Sequence, residues 1–236
     1  MNTDSRQERL RLASWPALLQ KAWCESRSRF LALLGLLVIL VGYSVLSGPQ
    51  FLEGMAINHP DEPLSYSGYI WVSLFDWYLQ GFWTAAAFIL GLGGVWRERA
   101  TGVATFTLSL PVRREDVVIT RAAVAIVEAF LVALIPCLLI PTLSWVTGNH
   151  YSVPQSVIFA LFLTLGGLVF VGLSLLLSSL FDGEYAAFIL GMGAIATVFF
   201  SFKARSIHRL SIFDLMSGAR HIDATTHLVT SVPWLG

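Results

Sequence analysis

Charge is scarce in this 236-residue chain, with Asp, Glu, Lys and Arg making up only 13% of it. A soluble domain carries roughly 25% to cover its surface, so a free cytosolic globule is excluded. Lysine is nearly absent: Lys21 and Lys203 are the only two. Neither follows a glycine-rich turn, and no Gly-x-x-x-x-Gly-Lys-Ser/Thr run occurs, so the chain carries no phosphate loop. Two cysteines, Cys24 and Cys137, cannot build a disulfide framework and read as free thiols. The formal net charge is zero, without the basic excess of a nucleic-acid binder. Catalytic constellations are missing as well. There is no Gly-x-Ser-x-Gly elbow, and His59, His150, His208, His221 and His227 all fall in loops or the tail. His221, Asp223 and His227 lack a third strong metal ligand. The chain reads as no enzyme, with no cofactor or metal of its own.

What fills the sequence is apolar residues, 56% of the total, with a mean hydropathy of +0.70. A spanning helix needs about 20 mostly apolar residues. Stretches poor in charge give five spans, at about 30–46, 69–96, 117–145, 157–181 and 185–202. The third and fourth come from one uncharged run, Ala129–Phe181, divided by the turn chemistry of Gly148, Asn149 and Pro154. Backbone in a bilayer must satisfy its own hydrogen bonds, so the expected fold is all-α, a polytopic helical bundle. Residues Trp15–Arg29 place Trp15, Leu18, Leu19, Ala22 and Trp23 at helical spacing. That pattern predicts an amphipathic helix in the membrane interface, capped by Ser14 with Pro16 in its first turn. A signal peptide is the competing reading. A polar lead-in of 29 residues and the lack of a small-x-small cleavage site speak against it.

Basic residues in short loops set orientation. Segment 1–29 holds Arg6, Arg9, Arg11, Lys21, Arg27 and Arg29, and loop 97–116 holds Arg97, Arg99, Arg113 and Arg114. Loops 47–68 and 146–156 hold none. The N-terminus and loop 97–116 are therefore expected in the cytoplasm, with the chain in a plasma (inner) membrane. Alternation then puts residues 203–236 outside as a partly helical tail, although it carries Lys203, Arg205, Arg209 and Arg220.

Loop 97–116 mixes charge with Val103, Phe106, Leu108 and Leu110, and Pro111 disfavours α geometry at Leu110. From physics alone it is either an amphipathic helix resting on the bilayer or one that plugs into a partner groove. Glu115 and Asp116 suit the start of the next helix. The stretch Glu98…Thr101-Gly102…Leu108-Ser109-Leu110-Pro111-Val112-Arg113-Arg114, followed by Val117, Val118 and Arg121, resembles the permease subunits of type-2 ABC transporters. Val103-Ala104 stand where that family usually has Thr-Leu, and Arg121 where Lys is usual. The resemblance implies an exporter that moves an unidentified substrate with ATP hydrolysed by a separate subunit, where ATP and Mg would bind. It implies a homodimer or heterodimer of permeases. It assigns contact with the ATPase to Glu98, Arg99, Gly102, Phe106, Leu108, Leu110, Pro111, Arg113 and Arg114. It also implies a sixth span, for which Gly236 arrives too early. Either the chain is truncated, or the mildly apolar Thr225–Leu235 does something other than span.

Polar groups inside the spans are costly and draw a functional hypothesis. Asp76 and Gln80 lie four apart, with Trp83 and Ala87 continuing their face; Glu128 lies in the third span with Arg121 two turns earlier. These residues line a substrate route or gate, or else Asp76 sits cheaply near the outer interface and Glu128 satisfies neighbouring helices. Pro136 and Pro141 can kink the third span. Glycines including Gly91, Gly166, Gly167, Gly191 and Gly193 permit close helix packing. A different class of function also fits: a non-transporting scaffold or sensor docking a cytosolic protein through loop 97–116.

Overall fold

A computed structural model describes residues 3–58, 65–92, 114–181, 184–205 and 212–218, and no strand occurs among them. The helices are α1 (Thr3–Asn58), α2 (Tyr66–Ile70), α3 (Leu79–Gly91), α4 (Arg114–Val146), α5 (Val153–Leu180), α6 (Glu184–Arg205) and α7 (Ile212–Ser217). A π-helical stretch, Trp71–Tyr78, joins α2 to α3. Within these, Trp15–Ile57, Glu115–Val146 and Val153–Ser178 are long and apolar enough to cross a membrane, and Ala186–Phe202 is a shorter apolar helix. The second span is helical throughout Tyr66–Gly91, its α geometry interrupted by the π stretch. Gly93–Trp96 lie outside the described residues.

The amphipathic stretch Trp15–Arg29 is helical and continues without a break into the first span. Trp15–Arg29 is the first part of α1, one helix of 56 residues, about 84 Å long. Pro16 sits inside it rather than in its first turn. Nothing between Ala17 and Leu34 breaks the ladder, since the stretch holds neither Gly nor Pro. Its apolar stripe is divided: Ala22 is buried, while Leu19 and Trp23 are exposed.

Side-chain pairings give the direction of each helix. Ser26 meets Glu128 and Gly42 faces Leu143, so α1 and α4 run parallel. Phe75 stacks on Phe159 with ring centres 4.2 Å apart, and Trp83 Nε1 donates to Leu163 O at 2.7 Å. Gly91 faces Ser174, so the second span and α5 also run parallel. Gly81 lies by Phe199 and Gly191 by Phe88, which makes α6 antiparallel to α3. This alternation agrees with the five spans read from the sequence. The α4–α5 turn follows its composition: Gly148 adopts φ +75°, and Asn149 N reaches back to Ser144 O at 2.9 Å, closing the last turn of α4.

The core runs the length of the bundle around Trp83, Phe75, Phe88 and Phe159, all fully buried. Small residues let the backbones close on it. A β-carbon at Gly191 would collide with Phe88, and one at Gly91 with Ser174. Gly193 differs, with open space around it.

The tail departs from the expectation of an external segment. Ile212–Ser217 is helical, but Phe213, Met216 and Ser217 are buried. Met216 packs where Gly166 leaves room. Gly166 lies near the middle of α5, on the order of 20 Å from its first residue. Phe213 is ringed by Phe170, Phe199 and Phe202. Apolar contacts with α5 and α6 thus hold α7 inside the bundle, at the depth of the spans.

Candidate functional site

Two helical stripes create the first polar region. Ala22, Glu25, Ser26 and Arg29 lie at i, i+3, i+4 and i+7 on α1; Arg121, Val124, Ala125 and Glu128 repeat that spacing on α4. The stripes face each other around a cavity of about 30 Å³, closed by Leu90 and Gly91 of α3 and by Leu175 of α5. That volume has room for water, since one molecule needs about 10–15 Å³. Ser26 Oγ donates to Glu128 Oε1. Glu128 is fully buried, and its Oε2 finds no hydrogen-bond partner among the described residues. Arg121 Nη2 lies 3.4 Å from Glu25 Oε2, and Lys21 Nζ lies 3.8 Å from Glu25 Oε1.

A second polar region sits about 15 Å along α3, ten residues from Leu90. Gln80 is fully buried. Its Nε2 donates to Phe213 O at 2.5 Å, while Oε1 has no partner among the described residues. Trp71 Nε1 donates to Ser217 O at 2.9 Å. Trp71 therefore caps one of the last carbonyls of α7, which have no partner within the helix, while Gln80 adds a bond to a carbonyl near its start. Gln80, Trp83 and Ala87 share a buried face as the spacing predicted. Asp76 is only half-buried. Asp76 lies in the π stretch and Gln80 in the first turn of α3.

Gln80 and Glu128 thus lie in different regions. Arg121 and Glu128 do share one. Of the residues assigned to ATPase contact, Glu98, Arg99, Gly102, Phe106, Leu108, Leu110, Pro111 and Arg113 lie outside the described residues. Arg114 opens α4, with Glu115 and Asp116 in the first turn. The helices flanking this loop, α3 and α4, end and begin at the Arg121 end of the bundle. Sequence reasoning missed Ser26 and Arg29 as neighbours of Glu128, and Glu25 as the partner of Arg121. Their shared spacing on α1 was the available signal, read there as an interfacial stripe. Nothing in the sequence pointed to Trp71 as a cap for Ser217.

Long apolar helices of alternating direction, with buried polar groups on facing stripes, define a multi-pass membrane protein. Its family follows from comparison: a family model described as ABC-2 family transporter protein matches residues 65–224, from the start of α2 past α7. The chain belongs to the ABC-2 transporter family, as a membrane permease component rather than an enzyme. No curated protein and no solved structure matches it.

Proposed function

We propose that this chain is the membrane-spanning subunit of an ATP-driven exporter, coupled through loop 97–116 to a separate ATPase that binds ATP and Mg. The observation that carries the reading is the family match combined with the place of that loop. It joins α3 and α4 at the bundle end that also holds Lys21, Arg29 and Arg121. Basic residues gather on the cytoplasmic side of membrane proteins, so this end faces the cytoplasm, with the N-terminus there too. Glu98, Arg99, Gly102, Phe106, Leu108, Leu110, Pro111, Arg113 and Arg114 form the docking surface. One bundle of five spans is half a pathway, so two permeases pair, as a homodimer or with a related subunit. Gln80 and α7 close the route midway, and outward passage requires the Gln80–Phe213 contact to open. The inner (plasma) membrane is the site of action.

Co-purification tests the docking surface. An ATP-binding subunit should be retained by the native chain and lost from Phe106→Asp and Glu98→Arg. If both variants retained the subunit and its coupled ATPase activity, the docking assignment would be wrong. A partner without nucleotide-binding motifs would favour the scaffold reading instead.

A further inference from the structure

The pairing of α1 with α4 carries a consequence for how a push at the loop would travel. The two helices run parallel and carry charge in opposite order. On α1, Glu25 precedes Arg29; on α4, Arg121 precedes Glu128. Glu25 pairs with Arg121 at 3.4 Å. Glu128 takes a hydrogen bond from Ser26, and Arg29 supplies a favourable charge beside it. Sliding α1 along α4 toward Glu128 would bring Glu25 toward that carboxylate and part both pairs. Glu128 is fully buried, so drawing a second carboxylate toward it is disfavoured, and the opposed order favours one register. The unpartnered Glu128 Oε2 and the adjoining cavity of about 30 Å³ add room for a bridging water.

We propose that Glu128, with Ser26 and Arg29, is a positioning residue: a polar latch that makes α1 and α4 move as one body when α4 is displaced from its loop end. The coupling step rests on the proposed ATPase docking; the register-locking does not. Two measurements separate them. In the first, spin labels are placed at Leu31→Cys and Val127→Cys, both exposed positions, in a Cys24→Ser/Cys137→Ala background. The distance distribution is read in the full chain in nanodiscs without any partner. Glu128→Leu should broaden or shift it, while Glu128→Gln, which keeps an acceptor for Ser26, should change it less. A distribution in Glu128→Leu as narrow as in the parent overturns the latch. In the second, the permease–ATPase complex is assayed for substrate-independent ATPase stimulation. Arg29→Glu and Glu128→Arg should each lower it about tenfold with the complex still assembled, a change within the usual range of coupling energies. The double exchange Arg29→Glu/Glu128→Arg should recover most of that loss. A double variant no better than either single one also overturns the latch. If no ATPase associates at all, the docking proposal fails while the distance measurement still decides the latch.

Discussion

Glu128 and Gln80 are both fully buried, and each keeps one oxygen without a partner among the described residues. Their surroundings differ. Glu128 sits at the bundle end, beside Arg29, Arg121 and a cavity able to hold water. Gln80 sits midway along the spans and donates to the backbone of α7 at Phe213, whose ring meets Phe199 edge-on. The difference shows what depth demands. A carboxylate is tolerable where counter-charges and water reach it; deeper in, the polar group is neutral and bonds a backbone carbonyl. The two regions therefore do different mechanical jobs, one joining long helices through charge and the other holding a short helix through packing and an amide.

That contrast can be broken by substitution. Trp83→Ala should have the largest effect. It removes a fully buried indole, its contact with Gly167 and its bond to Leu163 O. A loss of about 3–5 kcal/mol is expected, read as a lower unfolding temperature in detergent. A small loss would mean that packing does not dominate the centre. Gly166→Leu should cost about 1–3 kcal/mol by displacing Met216. Faster amide exchange confined to 212–217 would mark α7 as the element released. Gln80→Leu should cost about 0.6–2 kcal/mol, the range of hydrogen bonds between membrane helices, and the cost should not change with salt. Arg121→Gln should cost least, at most about 1 kcal/mol, because Glu25 is one-third exposed. This last effect should shrink as salt rises. A salt-insensitive loss at Arg121, or a salt-sensitive one at Gln80, would erase the distinction between the regions.

Much of the fold was legible because span length and loop charge are local properties. The run Ala129–Phe181 and its Gly148 turn were enough to place α4 and α5, and the structure extends each by only a few residues. The Trp15–Arg29 stripe was harder. An amphipathic helix has the same spacing whether its face meets lipid or another helix, and only the α4 stripe shows that part of it meets protein. Gln80 stood out because an amide in an apolar run is conspicuous. Its partner did not, because Phe213 contributes a carbonyl that any residue could provide. Asp76 was grouped with Gln80 on their four-residue spacing; the two differ in burial, Gln80 being fully buried and Asp76 half-buried.

The sequence by itself determined that the chain is an all-α membrane protein with alternating spans and a basic loop between the second and third. Those features follow from apolar length against a bilayer of fixed thickness and from charge sorted by side. Tertiary structure alone decided that α1 runs unbroken from Thr3 to Asn58, that Glu128 answers Ser26 and Arg29, and that Ile212–Ser217 packs inside the bundle. Each of these depends on which faces meet, and a face acquires its partner only when helices far apart in sequence are packed together.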